Sequence, residues 1–258
     1  MSFLLRKLPH IHQETEHYRL EDLDLNDLLG KEITITHTGR ISCLACGADT
    51  RKSFGDGLCY QCFKTLARAD SCIIRPHTCH YHQGTCRQPD WGEAHCMIPH
   101  VVYLAQTSGL KVGVTGAHKT SERWGDQGAK AAIILAETPD RKTAGEIEIA
   151  LSGHLSDRTN WRQLITGKVD EVDLIEAKNK TIPKIPSPHN QHVTEDDHIE
   201  LFTYPVLEYP KKAKTISLDK SSQIQGPLMG IVGQYLFMGP QAFNVRRHSG
   251  YEVDLKIP

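Results

Sequence analysis

The sequence predicts an α+β protein built from three consecutive parts and a linker. All eight cysteines fall between Cys43 and Cys96, residues 99–168 alternate strand-like and helix-like patterns, and the last part has short strand-like runs separated by Gly and Pro. We therefore expect an N-terminal strand with a cysteine-rich region over 1–98, a small α/β domain over 99–168, a linker over 169–200, and a C-terminal small β-barrel or sandwich over 201–258. The C-terminal part is expected to recruit the N-terminal strand near Ile33, because chain ends often meet.

Composition and charge exclude some classes of protein. Hydrophobic residues make up 39% of the 258 residues, and the formal net charge is −1. These values are typical of a globular protein and carry no strong overall bias towards nucleic acid. No apolar run approaches the roughly 20 residues that a spanning helix needs, and the apolar patch near the N-terminus is too short for a signal peptide. We therefore expect a cytoplasmic protein with no membrane partner.

Four of the cysteines have the spacing of a zinc site. Cys43 and Cys46 form one C-x2-C pair, Cys59 and Cys62 form a second, and 12 residues separate the pairs. Each pair brings two thiolates to one ion, and two pairs complete the tetrahedron of a structural zinc. Such clusters favour metal over disulfides in a reducing compartment. The pattern is of zinc-ribbon or treble-clef type and leaves no open coordination position for catalysis.

The remaining four cysteines predict a second structural zinc site with a less diagnostic spacing. They are separated by six, six and nine residues and are Cys72, Cys79, Cys86 and Cys96. Histidine can replace cysteine in structural zinc sites. One ligand could therefore come from a nearby histidine, the candidates being His80, His82 and His95.

The stretch 101–115 predicts two strands around a turn and reads VVYLAQTSGLKVGVT. Side chains alternate between the faces of a strand, so the loop length decides whether Tyr103 and Lys111 meet. A four-residue loop, 106–109, pairs Lys111 with Leu104, whereas a three-residue loop, 106–108, pairs it with Tyr103. Gly109 can adopt the left-handed conformation that accompanies a three-residue loop. Both alternatives remain open.

A helix predicted from Pro139 to about Ser156 adds a carboxylate to this region. Its apolar face recurs at helical spacing and consists of Ala144, Ile147, Leu151 and Leu155. Glu148 lies at the edge of that face, where a carboxylate needs a partner such as Arg, Lys or a metal ion. Arg123, from a short helix predicted around residues 121–124, is a candidate neighbour.

The order of these residues resembles the GIY-YIG nuclease superfamily over about 70 of the 258 residues. Tyr103 lies in a first strand, Lys111 begins a K-V-G segment in the second, Arg123 lies in the following helix and Glu148 in a later one. The segment 148–161 is also similar to the corresponding end of bacterial and phage members. Two departures are that Lys111 replaces the usual second tyrosine and that the first motif, VVY, lacks its leading glycine.

The resemblance implies a GIY-YIG-like fold for residues 99–168 and a set of catalytic roles. Tyr103 would help to activate water, Arg123 would steady the phosphate, and Glu148 would bind a catalytic Mg²⁺ or Mn²⁺. Lys111 could stabilise phosphate charge. The whole chain is also similar to an uncharacterised bacterial family in which a cysteine-rich region precedes segments like GTCRQPDWGEAHC, LKVGVT, SERWGDQGA and TNWR.

Two functions follow as expectations. The first is metal-dependent hydrolysis of phosphodiester bonds in DNA or RNA, which requires Tyr103, Arg123 and Glu148 to converge in one cleft. The second is a non-catalytic zinc-containing module that binds nucleic acid or the ribosome through a basic face. Segment 43–68 has four basic and two acidic residues, and segment 210–258 has seven basic and three acidic residues, so both segments are locally basic. Segment 210–258 also has aromatic residues that could either stack on bases or fill a core: Tyr235, Phe237, Phe243 and Tyr251.

Overall fold

The computed structural model describes residues 2–155 and 159–257. Its strands are β1 (Ser2–Leu4), β2 (His10–Ile11), β3 (His17–Leu20), β4 (Leu23–Asp24), β5 (Glu32–Ile41), β6 (His100–Gln106), β7 (Leu110–Gly116), β8 (Ala131–Thr138), β9 (Ile199–Leu201), β10 (Thr215–Ile216), β11 (Gln223–Val232), β12 (Tyr235–Met238), β13 (Gln241–Asn244) and β14 (Tyr251–Lys256). Its α-helices are α1 (Tyr60–Thr65), α2 (Ser71–Ile74), α3 (Pro89–Cys96), α4 (Thr120–Asp126), α5 (Arg141–Leu151), α6 (Trp161–Ile165) and α7 (Leu174–Thr181). The protein is thus a mixed α and β structure.

The largest sheet joins the two ends of the chain. It contains seven strands in the order β1-β14-β5-β11-β12-β13-β10. β5 pairs antiparallel with both β11 and β14, which confirms that the strand near Ile33 joins the C-terminal part. β11 pairs with β5 through its first half and with β12 through its second, with a bulge between Leu228 and Gly230. These seven strands therefore form one sheet with β1 and β10 at its edges, and the expected barrel or sandwich stays a prediction.

The predicted hairpin forms the first two strands of a four-stranded sheet in the order β7-β6-β8-β9, with β7 at the edge. Gln106 pairs with Leu110, so the loop is 107–109: it has three residues and begins one position later than in either alternative. Tyr103 lies opposite Gly113 and Lys111 lies opposite Ala105. The two titratable side chains therefore share a face as diagonal neighbours and are not directly opposite each other.

Both faces of this sheet are covered. Val102 and Leu104 pack on one side into a cluster that includes Ile147 of α5. Tyr103 packs on the other side against Trp124 of α4, with ring centroids 5.6 Å apart. A central strand covered on both faces reads as a continuous apolar run, which is the pattern of β6.

The helices around the sheet agree with the sequence in type but differ at their ends. α4 confirms the short helix predicted around residues 121–124. α5 begins at Arg141 because the Asp140 side chain accepts from the Thr143 N–H and caps the helix. The predicted start at Pro139 is therefore two residues early. α5 ends at Leu151, whereas the predicted end near Ser156 and the neighbouring Arg158 lie outside the described residues.

The segment 169–200, which the sequence predicted as a linker, is partly helical. It contains α7, which Asp173 caps through the Glu176 N–H. The buried side chains of this helix include Leu174 and Ala177, which join the core cluster over the β6–β8 sheet. Lys178 is also buried, and its Nζ lies 3.1 Å from Asp197 Oδ1. A short helix that packs on the β6–β8 sheet thus lies within the predicted linker.

Membrane-spanning helices are missing from residues 2–155 and 159–257: no helix there is long and apolar enough to cross a bilayer.

A buried carboxylate connects the N-terminal segment to α4. Glu16 is fully buried, and its two oxygens each lie 2.5 Å from an Nδ1 atom, one of His10 and one of His12. The His10 ring packs on Gly125 of α4, and its Nε2 lies 3.1 Å from the Glu122 carbonyl. Burial acts to lower the pKa of His10, but the contacts with Glu16 and the Glu122 carbonyl outweigh it, so the pKa is raised.

Stability is expected to fall as the pH rises above neutral. A raised His10 pKa contributes stability that is fully present below the unfolded value of about 6.5 and is lost as the pH rises through the folded value. We expect the free energy of unfolding in urea to decrease between pH 6 and pH 9, and to decrease less in Glu16→Gln. The exposed Glu14→Gln variant is the control. An identical pH dependence in native protein and Glu16→Gln would contradict this assignment.

Candidate functional site

Four cysteines form a compact cluster with the geometry of a metal site. The Sγ atoms of Cys43, Cys46, Cys59 and Cys62 all lie within 4.8 Å of one another, and those of Cys46 and Cys59 are 3.9 Å apart. A tetrahedral Zn²⁺ with Zn–S bonds of about 2.3 Å requires sulfur–sulfur distances of about 3.8 Å. The donor set and its spacing therefore fit a metal ion such as zinc, as the sequence predicted.

The backbone around this cluster already favours thiolate at one position. Burial acts to raise the pKa of Cys43, but backbone N–H groups, among them that of Ala45, lower it to about 6. Burial and the neighbouring sulfurs raise the pKa of Cys62 to about 12. Four adjacent sulfurs cannot all ionise without a compensating cation, because like charges at this separation repel. A bound dication supplies that compensation.

The loops of this cysteine cluster pack on the 3-10 helix Arg246–His248 and the residues that follow it. Ser53 Oγ donates to the Ser249 carbonyl at 2.7 Å. Asp56 accepts two hydrogen bonds of 2.8 Å from the Arg246 guanidinium. Burial opposes ionisation of Asp56, but these contacts lower its pKa, and the same hydrogen bonds raise the pKa of Arg246. The cysteine cluster thus fixes the position of Arg246.

The second set of cysteines surrounds one small cavity. Its lining includes all four thiols together with Asp70 and His80, the full cysteine set being Cys72, Cys79, Cys86 and Cys96. Ligand atoms of Asp70, Cys72 and His80 lie within 4.8 Å of one another. Burial raises the pKa values of Cys72 and Cys96 to about 11. The structure therefore places His80, one of the predicted alternative ligands, beside Cys72.

A cleft of about 800 Å³ lies where the cysteine-rich region, the four-stranded sheet and the C-terminal part meet. Its lining includes four arginines, contributed by three separate regions: Arg75, Arg123, Arg141 and Arg246. Glu148 is the only acidic side chain among the described residues of this lining, which also includes His77. The formal charge of the lining is +3 with a neutral histidine. We call this site the arginine cleft.

The cysteine-rich region forms one wall of the arginine cleft by packing directly on α5. Gly145 faces the backbone of Pro76 and His77, and a Cβ on Gly145 would lie 2.4 Å from the His77 nitrogen. The Arg141 Nη2 donates to the Ile73 carbonyl at 2.7 Å. These contacts place the segment 73–78, which lies between Cys72 and Cys79, beside the helix that carries Glu148.

Arg141 lines the cleft and carries a buried donor, its Nε, without a hydrogen-bond partner within the part of the chain that the structure describes. Burial lowers the pKa of this guanidinium, and the nearby charge of Arg123 lowers it further. A buried donor without a partner is costly.

Tyr103 and Lys111 lie behind the arginine cleft and are not among its lining residues. Tyr103 is fully buried, and Lys111 is 6% exposed. The amide of Gln127 connects them: its Oε1 accepts from the Lys111 Nζ, and its Nε2 donates to the Tyr103 hydroxyl at 2.7 Å. The same Nε2 donates to the Arg123 carbonyl at 2.9 Å. The pair is thus linked to the helix turn that carries Arg123.

The structure brings together two of the four predicted catalytic residues, Arg123 and Glu148, in one cleft. Sequence reasoning missed Arg141, although it precedes Glu148 by seven residues and so lies on the same helix face. Arg246 was noted only as part of a basic segment, because its approach to α5 depends on long-range packing.

The aromatic residues of the C-terminal part mostly fill its core. Phe237 and Phe243 are fully buried, and Tyr251 is 8% exposed. Their core role explains their spacing along the strands.

A second cavity of about 480 Å³ lies in the C-terminal part. It is lined by Tyr209 together with three lysines, which are Lys211, Lys212 and Lys214.

The fold and site define a mixed α and β protein that combines a four-cysteine cluster suited to a metal ion with an arginine-lined cleft. The chain belongs to the family described as "Protein of unknown function (DUF2797)", which matches residues 30–253. No curated protein and no solved structure matches the chain. The matched range contains both sets of cysteines and the whole arginine cleft, and it excludes the contact between His10 and Glu16.

Proposed function

We propose that the protein is a metal-dependent nuclease that hydrolyses phosphodiester bonds of DNA or RNA in the arginine cleft. The observation that carries this proposal is the convergence of Arg123 and Glu148 in a cleft with three further arginines. Four guanidinium groups around one carboxylate fit an anionic substrate and a bridging cation.

The arrangement of β6 to α5 supports a GIY-YIG-like assignment. Two antiparallel strands are followed by α4, a third strand and α5, and the sheet order is β7-β6-β8. This is the order of elements on which the resemblance to the nuclease superfamily rests. We further propose that the cluster at Cys43–Cys62 is a zinc-ribbon-like structural site and that the protein acts in the cytoplasm.

The side chains of the cleft match the needs of phosphodiester hydrolysis. A water oxygen forms a bond to phosphorus as the bond to the leaving oxygen breaks; the attacking water releases one proton to solvent, and the leaving oxygen takes up one proton. Negative charge increases on the non-bridging oxygens, which Arg123 and Arg141 would bind through hydrogen bonds. The position of His77 in the lining suits proton donation to the leaving oxygen.

Glu148 fits the role of cation ligand. Mg²⁺ is commonly bound through one or two carboxylates together with substrate phosphate oxygens and water, and the described lining supplies one carboxylate. When bound, Mg²⁺ or Mn²⁺ would neutralise phosphate charge and orient the attacking water. We propose that Tyr103 and Lys111 act from behind the cleft, by fixing Gln127 and through it the turn that carries Arg123. A direct role of Tyr103 in activating water stays a prediction.

We propose a second structural zinc at the cavity lined by Cys72, Cys79, Cys86 and Cys96, with His80 as the alternative to one thiolate. The convergence of these groups around one small cavity supports it. This ion would fix Cys72 and Cys79, which bracket the segment 73–78 of the cleft wall. The second zinc is structural, because the catalytic groups lie on the other side of that wall.

Glu148→Gln is expected to reduce cleavage at least about 100-fold, because the cation would lose its charged ligand. Cleavage of labelled single- and double-stranded DNA and RNA is measured with Mg²⁺ or Mn²⁺. The matched control is Glu146→Gln on the same helix. Glu146 lies outside the described cleft lining and contacts Lys142 at 3.9 Å and His189 at 3.5 Å, so its replacement should leave the rate unchanged.

Zinc content and thermal midpoint are measured for every variant to confirm that it is folded. Equal loss of cleavage in the Glu148 and Glu146 variants would contradict the proposed role of the carboxylate. If the native protein cleaves none of the substrates, the hydrolytic function is wrong.

The second candidate function is nucleic-acid or ribosome binding without catalysis. It is favoured by the separate cavity where three lysines surround Tyr209 in the C-terminal part. A binding module would require these lysines and would not require Glu148. Replacing Lys211, Lys212 and Lys214 by Gln should then weaken RNA binding more than Arg123→Gln, whereas a nuclease of the arginine cleft requires the opposite order.

A further inference from the structure

Two isoleucines are exposed at the rim of the arginine cleft. Ile74 is 85% exposed and Ile149 is 50% exposed, and both line the cleft. Single exposed apolar side chains are ordinary on protein surfaces. These two differ because they lie at one site, beside four arginines and Glu148, and anion binding alone does not require them.

Rigid parts of the fold position both isoleucines. Ile149 follows Glu148 directly in the last turn of α5. Ile74 ends α2 and follows Ile73, whose carbonyl accepts from Arg141. The apolar rim therefore has a fixed position relative to the groups that would bind the scissile phosphate.

The combination of charge and apolar surface selects one class of ligand. Inorganic phosphate or a small phosphate ester would pair with the arginines and leave both isoleucines in water. A polynucleotide carries phosphates and also presents apolar base faces wherever its bases are unstacked. Isoleucine and proline insert between base steps in proteins that kink DNA, whereas proteins that bind single strands stack bases on aromatic rings. None of the described lining residues of the cleft is a phenylalanine, tyrosine or tryptophan.

We infer that the arginine cleft binds a nucleic-acid duplex at a point where its bases are locally unstacked. Phosphate oxygens contact Arg123 and Arg141, and the exposed base faces contact Ile74 and Ile149. This inference rests on the proposed function and names its substrate class. A perfectly paired duplex hides its base faces, and unstacking costs least at a mismatch, so a mismatched duplex binds more tightly than a matched one.

The test measures equilibrium binding of matched and mismatched duplexes, in DNA and in RNA, by fluorescence anisotropy without added divalent cation. The native protein is expected to prefer the mismatched duplex by about tenfold. The double variant Ile74→Ser with Ile149→Ser should lose this preference, and the corresponding double leucine variant should keep it. Ile11→Ser is the matched control, because Ile11 is 50% exposed in β2 and lies outside the described cleft lining.

The outcomes separate this inference from the proposed function. An unchanged preference in the double serine variant, or binding of neither duplex by the native protein, overturns the inference. Competition by inorganic phosphate should be the same in native and serine variants, and a change there would show that the arginines had moved. If the preference behaves as expected but no duplex is cleaved with Mg²⁺ or Mn²⁺, the substrate class stands and the hydrolytic function fails.

Discussion

Removing metal from the Cys43–Cys62 cluster is expected to unfold this region and to lower the thermal midpoint of the protein by about 10 °C. Loss of a metal is among the few changes that cost more than about 4 kcal/mol, and each kcal/mol shifts the midpoint of a chain of this size by about 2–4 °C. Little apolar burial substitutes for the ion, because Cys46 and both of its neighbours in the chain are exposed. Without the ion, the four cysteine sulfurs lie close together with no cation to compensate their negative charge.

The effect should extend to the arginine cleft. Asp56 lies in the loop between the two cysteine pairs and fixes Arg246 through two hydrogen bonds of 2.8 Å. Unfolding of this loop releases Arg246 from its position in the cleft lining. Binding of nucleic acid should therefore weaken when the metal is removed, even at temperatures where the rest of the chain stays folded.

The measurement compares metal content and thermal midpoint of native protein, Cys59→Ser and Ala45→Ser. Ala45 is an exposed neighbour of the ligands that supplies no donor side chain, so its variant should retain metal and midpoint. Cys59→Ser should lose one equivalent of zinc and keep the second, and Cys72→Ser should do the reverse. If a strong zinc chelator changes neither the content nor the midpoint of the native protein, the four thiols are packed without a metal.

The parts of the site that could be predicted from sequence are those encoded by local spacing. The C-x2-C pairs specify their own geometry, because only three residue steps along the chain separate the two thiols of each pair. The strand, strand, helix, strand, helix order between β6 and α5 was also readable, since each element carries its own hydrophobic period. Glu148 could be singled out because it lies at the edge of the apolar face that this hydrophobic period defines in the predicted helix.

The arginine cleft itself was beyond such reasoning. Arg75 and Arg246 are far apart in the sequence, and they meet because the cysteine loops pack on α5 and on the C-terminal sheet. Nothing in the immediate sequence of either arginine encodes this approach. The burial of Tyr103 could be predicted more readily from the sequence, because the apolar run of β6 is typical of a strand covered on both faces. A tyrosine in such a strand is expected to pack against neighbouring side chains rather than to contact a substrate.

Gly145→Ala is expected to destabilise the protein by about 1–3 kcal/mol and to open the wall of the arginine cleft. In an exposed helix the same change would stabilise by about 1 kcal/mol, because alanine favours the helix. Here a Cβ would lie 2.4 Å from the His77 nitrogen and 2.6 Å from the Pro76 carbonyl carbon. Backbone atoms cannot rotate away as a side chain can, so the segment 73–78 must move from α5.

The matched control is Gly153→Ala, since no atom lies within 4 Å of a Cβ at that position and the stability change should stay within about 0.5 kcal/mol. Urea unfolding gives the free energies, and duplex binding reports on the cleft. A moved wall takes Arg75 and Ile74 away from Arg141 and Glu148, so binding should weaken under conditions where the Gly145 variant is still fully folded. A stable variant with native binding would show that the wall can shift without consequence, and that the close approach of the cysteine-rich region to α5 is not what shapes the site.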